Sequence, residues 1–141
     1  MEYQRTRFGY VLRLDRGEDI LESLARFATE QGVRSGWISG LGSVTDPELG
    51  FFLRDSQSYE KRRMEGEFEI GALTGNLTEM EGKPFPHCHV VLGDRTFAAT
   101  AGHLFQGTVS VTCEVMIVTD PTALRRTRRD DLGFHPIEIK R

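Results

Sequence analysis

The sequence predicts a single domain that combines one helix with several strands, because one helical pattern near the start is followed by a second half made of strand patterns. The helical pattern covers residues 18–31, and the later strand patterns lie between residues 87 and 118. The length of 141 residues suits one domain, and 38% hydrophobic with 28% charged residues is typical of a folded protein. We therefore expect one domain over residues 1–141.

The first strand and the helix are predicted from their hydrophobic periodicity. Residues 8–14 alternate, with Phe8, Tyr10, Leu12 and Leu14 on one face, as in a half-buried strand. Apolar residues then recur at steps of three and four through residues 18–31, the pattern of an amphipathic helix. Gly32 follows at the position where helices commonly end in a left-handed conformation.

The middle of the chain predicts shorter strands separated by glycines. Residues 35–39 form a short run that contains Trp37 and leads to Gly40 and Gly42, which permit a sharp bend or the close approach of another backbone. We expect the chain to turn within the sheet there. Residues 50–53 and 59–64 have weaker strand patterns. Residues 67–77 mix apolar residues with Gly71 and Gly75, which predicts a bulged or tightly packed strand.

The second half predicts a hairpin followed by further strands. Residues 79–86 contain glycine and two prolines and are expected to form a turn before a strand at residues 87–92. Residues 93–96 are expected to form the tip of a hairpin, and residues 97–101, 102–104 and 109–118 the strands after it. Residues 122–131 form a polar, arginine-rich segment.

The charge balance argues against a general nucleic-acid-binding surface. Eighteen Lys and Arg against 21 Asp and Glu give a net charge of -3, so binding to phosphates would need a local patch. The candidate patch consists of Arg125, Arg126, Arg128 and Arg129. Asp130 and Asp131 follow it directly, so the alternative interpretation is a solvated face or an intersubunit ion-pair surface.

The cysteines and the apolar runs bear on cellular location. Cys88 and Cys113 each lie in an apolar strand pattern, where two thiols are more often reduced core residues than a disulfide. The first residues lack the apolar run of a signal peptide, and no apolar stretch approaches the roughly 20 residues that cross a bilayer. We expect a cytoplasmic protein without a membrane partner.

Three of the four histidines are predicted to lie together. A His-x-His spacing in a strand places His87 and His89 on one face, about 6 to 7 Å apart, whereas Cys88 points to the other face. With a hairpin tip at residues 93–96, antiparallel pairing brings residues 101–103 opposite residues 87–89. His103 is therefore expected beside the pair, whereas His135 lies outside this cluster.

Three neutral imidazoles can supply three ligands to a divalent, zinc-like ion and leave a fourth position open. Such an ion lowers the pKa of bound water toward about 7 and can polarise a carbonyl, so hydrolysis or decarboxylation would need only a proton carrier nearby. Glu69 and Glu114 are the carboxylate candidates for that role. The alternative is that the histidines only satisfy polar positions in an interior or an interface.

Several short motifs strongly resemble the signature of the PPC domain, which is named for its conservation in plants and prokaryotes. These are Gly-Asn-Leu at 75–77, Gly-Lys-Pro at 82–84, His-Cys-His-Val at 87–90, Gly-His-Leu at 102–104 and Gly-Thr-Val at 107–109. Gly-Glu-Asp-Ile at 17–20 and Gly-Leu-Gly-Ser-Val at 40–44 are also similar. The resemblance covers about residues 6–120 and leaves 121–141 as a polar, arginine-rich C-terminal segment.

This resemblance implies an α+β domain in which a mainly antiparallel, barrel-like sheet packs against one principal helix, and it implies homotrimers built through the sheet. It also implies a distant relationship in fold to alpha-acetolactate decarboxylase, in which a His-x-His plus His pattern holds zinc. Carried over, the ligands are His87, His89 and His103. Plant members of the family join the PPC domain to DNA-binding AT-hooks, and bacterial relatives are often described as DNA-binding, but this sequence contains no AT-hook.

The leading hypothesis is a stand-alone homotrimer whose three-histidine, zinc-like site binds a small molecule or serves regulation rather than catalysis. Two alternatives stay open. One is a DNA-associated regulatory protein without an AT-hook, and the other is a metal-dependent hydrolase or lyase that acts on a small carbonyl compound.

Overall fold

The computed structural model describes residues 1–139, which form one sheet and one helix. None of its helices is long and apolar enough to span a membrane in the part of the chain described. Along the chain, the elements are β1 (Glu2–Arg5), β2 (Gly9–Asp15), α1 (Ile20–Gln31), β3 (Gly36–Leu53), β4 (Ser58–Arg63), β5 (Glu67–Met80), β6 (Lys83–Gly93), β7 (Ala99–Thr119) and β8 (Arg125–Arg126).

The sheet is antiparallel except at one short pairing. Its strand order is β1-β2-β7-β6-β5-β3-β4, and β8 adds to β5 in the parallel direction. Because β3 pairs with β7 as well as with β5, the strands β3, β5, β6 and β7 form a closed ring of pairings. The predicted single domain with a mostly antiparallel sheet and one helix is confirmed.

Helix α1 covers the inner face of the sheet. Its apolar side chains, among them Leu24 and Phe27, are fully buried against strands that include β6 and β7. Asp19 caps the N-terminus by accepting a hydrogen bond from the Glu22 backbone N–H at 3.0 Å, so the helix begins two residues later than its pattern predicts. Gly32 ends it with φ 65°, as expected.

Strand β3 contradicts the turn predicted at residues 40–44. The strand runs unbroken over 18 residues, and its register against β5 shifts between Gly40 and Gly42, so the glycines form a bulge rather than a turn. A Cβ on Gly40 would lie 2.7 Å from the backbone oxygen of Glu114 on β7. The glycines thus serve close strand approach, and residues 50–53 are the end of β3, not a strand of their own.

The turn predicted at residues 79–86 is confined to Glu81 and Gly82, because Met80 already pairs with Lys83. The two prolines that suggested a longer turn lie inside β6. They are accommodated there because β6 pairs with β7 only from His89 onward, which leaves one edge of this part of the strand unpaired. The predicted bulge in β5 is confirmed by a register shift between residues 70 and 72.

The hairpin of β6 and β7 is confirmed, but its register is shifted by two residues from the predicted one, which placed residues 101–103 opposite residues 87–89. His89 pairs with His103, and the connection spans residues 94–98. The strands predicted separately at residues 97–101, 102–104 and 109–118 form one long strand, β7, which begins at Ala99. Strands β1 and β8 were not predicted, because neither has an alternating apolar pattern and both depend on an edge that the sheet supplies.

Candidate metal centre

The three histidines lie on the outer face of the β6–β7 pair. Cys88, between His87 and His89, points into the core and is 1% exposed. His89 and His103 are direct cross-strand partners, so the third histidine is brought to the pair by hairpin register alone. Sequence reasoning predicted this grouping, including the exclusion of Cys88.

The spacing of the ring nitrogens suits a metal ion. One ligand atom from each of the three histidines can be chosen so that all lie within 4.8 Å of one another. Nε2 of His87 lies 3.1 Å from Nδ1 of His103. Two nitrogens bound at about 2.05 Å around a tetrahedral zinc are about 3.3 Å apart, so the distance between these two atoms is close to that of two zinc ligands.

Burial keeps two of the rings neutral. It lowers the pKa of His87 to about 4, and the nearby Arg126 cation acts in the same direction. Burial likewise lowers the pKa of His103 to about 4, helped by the neighbouring His89, Arg126 and Lys61. At neutral pH both imidazoles therefore have a lone pair that a metal can use.

Aromatic rings form one wall of the centre. The rings of Tyr59 on β4 and Phe105 on β7 lie 5.0 and 4.6 Å from the His103 ring, centroid to centroid. Lys61 places its ammonium 3.8 Å from the centre of the Phe105 ring. Gly50 lies under this wall, because a Cβ there would collide with the Phe105 ring. The wall limits the access of water to His103.

Arg126 forms a second wall of the centre, and it comes from the C-terminal segment, by which we mean residues 122–139. Its side chain is half-buried and donates to Thr78 Oγ1 at 3.0 Å and to Asn76 Oδ1 at 2.7 Å, both on β5. It also donates to Nδ1 of His87 at 2.9 Å and to the backbone oxygen of His135 at 2.9 Å. One guanidinium thus joins β5, β6 and the C-terminal segment at the edge of the centre.

The C-terminal segment also contacts the hairpin that carries Tyr59. The Phe52 ring on β3 packs edge to face on Phe134 at 5.6 Å. The amide of Gln57, in the β3–β4 turn, donates to the backbone oxygens of Asp130 and Asp131 at 3.4 and 3.2 Å. The two walls of the centre are therefore tied to each other.

Comparison with known families identifies the family to which this chain belongs. The Plants and Prokaryotes Conserved (PCC) domain, the family introduced above as PPC, matches residues 1–120. The chain belongs to the PPC family. The matched region includes all three histidines and ends just before the C-terminal segment, so Arg126 lies outside it.

Solved structures of similar fold come from bacteria and archaea. A Bacteroides thetaiotaomicron protein provisionally named a DNA-binding protein is 27% identical with a TM-score of 0.94, covering 99% of this chain and 98% of its own. A protein from Archaeoglobus fulgidus described as metal-containing is 28% identical with a TM-score of 0.87, covering 98% of this chain and 97% of its own.

A curated relative contains a similar region within a much longer chain. The bifunctional protein GlmU of Synechococcus sp. (strain JA-3-3Ab) is 30% identical over 131 residues, which is 92% of this PPC chain. The same stretch is 20% of the relative, so the chain spans about a fifth of the length of the curated relatives it matches.

The two carboxylate candidates lie apart from the histidines. Glu69 pairs with Gly93, four strand positions from His89, and lines a groove at the β6–β7 turn. Glu114 pairs with Leu41 and lines a separate, open cavity of about 510 Å³. Within residues 1–139 the histidines are the one group of metal-ligating side chains found, and neither glutamate belongs to it.

The four arginines of the candidate patch are engaged within the chain. Arg125 lies 3.5 Å from Glu79, and Arg128 and Arg129 pair with Asp130 and Asp131 at 2.8 and 2.6 Å. Arg126 points inward to His87 instead. The ion-pair interpretation thus describes three of the four side chains, although the pairs are intramolecular.

Sequence reasoning missed the residues that surround the histidines. Asn76 belongs to the Gly-Asn-Leu motif and was not predicted as a site residue, yet it pairs with His87 across β5 and β6. This pairing follows once the turn at residues 81–82 is located. Tyr59 and Arg126 carry no such local signal, because they reach the centre from a different hairpin and from the C-terminal segment.

Proposed function

We propose that this PPC protein holds a divalent metal ion, zinc by its donor set, at His87, His89 and His103, and uses it to bind a small molecule or for regulation. The observation that carries the proposal is the 3.1 Å spacing of the His87 and His103 nitrogens beside His89. The metal-containing description of the Archaeoglobus fulgidus neighbour supports it. Bound zinc would supply a Lewis acid with a fourth position for a ligand.

The surroundings favour binding over catalysis. The Arg126 cation lies near both His87 and His103, and the Lys61 cation lies near His103, whereas Glu69 and Glu114 line other grooves. A hydrolase or lyase needs a group that holds or moves a proton within hydrogen-bond reach of the reacting atoms. Neither candidate carboxylate lies at the histidines, so the enzyme alternative requires a different proton carrier.

The direct test is elemental analysis of protein purified without an affinity tag. We expect close to one zinc per chain in the natural protein and in the control His135→Gln, which changes a histidine outside the cluster. We expect the metal to be lost from His89→Gln, which removes one ligand. A natural protein that binds no metal under zinc-replete conditions would refute the proposal.

We also propose that the chain assembles as a homotrimer through its sheet, whose ring of four strands acts as a small barrel. An outer apolar patch of the β2, β3 and β7 strands supports this, because cross-strand partners such as Val11 and Met116 are 37% and 52% exposed. Large exposed apolar patches commonly mark protein contacts. The patch consists of Val11, Trp37, Leu41, Met116 and Val118.

Light scattering coupled to gel filtration tests the assembly. We expect a mass three times that of the 16.0 kDa chain, and a monomer for Met116→Glu, because a charge in the centre of the patch would be desolvated on assembly. Phe97→Glu, at the exposed β6–β7 turn, is the matched control and should stay trimeric. Unchanged assembly in Met116→Glu would exclude this patch as the interface.

DNA binding is the second candidate, supported by the name of the Bacteroides thetaiotaomicron neighbour. The charge of this chain supports it poorly, since three of the four candidate arginines are paired with carboxylates. Any binding should be nonspecific and fall steeply with salt. An electrophoretic shift that is absent even at low salt would dismiss it.

Two further proposals rest on the sequence. The buried free thiols Cys88 and Cys113 suit a reducing compartment, so we propose a cytoplasmic location. We also propose that residues 1–141 act as one domain with a core at about residues 6–120. The last two residues of the C-terminal stretch 121–141 lie outside the described residues.

A further inference from the structure

The hydrogen bond from Arg126 fixes the protonation pattern of His87. A guanidinium can only donate, so the Nδ1 atom of His87, 2.9 Å from Nη2 of Arg126, must accept. A neutral imidazole carries one N–H, which therefore lies on Nε2. That nitrogen faces Nδ1 of His103 at 3.1 Å, so His87 donates to His103. Arg126, His87 and His103 form a directed chain of two hydrogen bonds.

This protonation pattern is incompatible with metal ligation by His87. A neutral imidazole binds a metal through its nitrogen that lacks hydrogen and commonly donates the other N–H to a second group. Ligation through Nε2 of His87 would move the hydrogen to Nδ1, where it would oppose the N–H of Arg126. Ligation through Nδ1 would place the metal where the guanidinium lies. Either route requires the Arg126–His87 hydrogen bond to break.

We propose that Arg126 competes with the metal for His87, so that metal binding and release of this Arg126 contact are coupled. The inference rests on the proposed metal site and adds its regulation. Arg126 is well placed for such competition because its other acceptors, Thr78 and Asn76, hold it beside His87. It acts on the metal through His87, as a positioning residue.

The competition extends to the C-terminal segment. Arg126 donates to the backbone oxygen of His135. Its neighbour Arg125 pairs with Glu79 of β5 and also attaches the segment to the sheet. The side chain that leaves His87 is thus one of the ties between this segment and the sheet. Metal binding should therefore weaken the attachment of residues 135–139 to the sheet. Conversely, a molecule that binds this segment should alter the affinity for the metal.

Zinc affinity and the hydrogen positions of His87 test the inference together. Affinity is measured by competition with a chromophoric chelator for the natural chain, Arg126→Met and the control Arg125→Met, which removes an exposed arginine one residue away. We expect Arg126→Met to bind zinc about tenfold more tightly or better, because a hydrogen bond to a charged group no longer has to break. Arg125→Met should change affinity by less than about threefold.

Long-range ¹H–¹⁵N correlation spectra separate hydrogen-bond competition from simple charge removal. We expect His87 of the metal-free natural chain to carry its hydrogen on Nε2. When zinc binds, the hydrogen should move to Nδ1 or the Nε2–H signal should disappear. A cation that acts only by charge would not set this pattern. Metal-free His87 with its hydrogen on Nδ1 would overturn the inference, as would an Nε2–H that persists on zinc-bound His87.

The outcomes distinguish the inference from the function on which it rests. Equal zinc affinity with and without Arg126 would overturn the competition while leaving the metal site intact. Failure of the natural chain and of Arg126→Met to bind zinc would refute the metal site, and the competition with it. Thermal unfolding of each variant, measured without metal, shows whether a change in affinity arises from a folded protein.

Discussion

His89 and His103 face each other across β6 and β7, so two ligands of the candidate centre are held by the backbone pairing of one hairpin. Directly opposed residues of an antiparallel pair keep their Cβ atoms about 4.5 to 5.5 Å apart. The arrangement therefore exists before any metal arrives. His87 is different, because its nitrogens are already engaged by Arg126 and His103.

Metal-free protein should lose stability as the pH falls from about 6.5 to about 4. Burial lowers the pKa of His87 and His103 to about 4 from the usual 6.5, so in this interval the unfolded chain binds protons that the folded chain does not. The stability that these groups contribute is thus fully present above pH 6.5. The measurement is the urea midpoint in a chelating buffer across this range.

A double variant provides the control for the pH experiment. His87→Gln with His103→Gln removes both groups with lowered pKa, and its midpoint should vary less between pH 6.5 and 4. His135→Gln should follow the natural chain. A natural chain whose midpoint is flat over the interval would show that the two rings are not buried in solution as they are in this structure.

Zinc should stabilise the natural chain by mass action. Free zinc at a hundredfold excess over its dissociation constant adds about 2.7 kcal/mol to the free energy of unfolding, provided that only the folded state binds. Thermal unfolding should therefore shift upward with zinc and return on addition of a chelator. His89→Gln should show no such shift, and an equal shift in that variant would place the metal elsewhere.

Gly50→Ala should disturb the aromatic wall of the centre. The new Cβ would collide with the Phe105 ring and lie 3.1 Å from the Tyr59 ring, so one of these rings must move. We expect a loss of about 1 to 3 kcal/mol in the free energy of unfolding, as for overpacked sites. Gly71→Ala is the control, because its nearest contact would be at 3.7 Å. Equal stability of the two variants would contradict this role for Gly50.

The two thiols should be unreactive in the native protein. Burial raises the pKa of Cys88 to about 12 and that of Cys113 to about 11, so almost no thiolate exists at neutral pH. A thiol reagent should label both only after the chain unfolds. Rapid labelling of Cys88 under native conditions would mean that β6 opens, and would make Cys88 a candidate metal ligand again.

The part of the fold that could be predicted from sequence is its local part. Alternation marked the strand near Leu12 and helical spacing marked the helix up to Gly32, because each element needs one apolar face. The bend predicted at Gly40 and Gly42 was wrong for a physical reason. A glycine permits a turn and permits close strand approach equally well, and only the neighbouring β7 decides between them.

The sequence by itself determined the grouping of His87, His89 and His103, since strand alternation and hairpin register are local rules that operate over fewer than 20 residues. Only the tertiary structure decided what surrounds them. Tyr59 comes from another hairpin, and Arg126 reaches His87 from a segment 39 residues further along the chain. No periodicity encodes such contacts, because they depend on how separate elements pack once the sheet has formed.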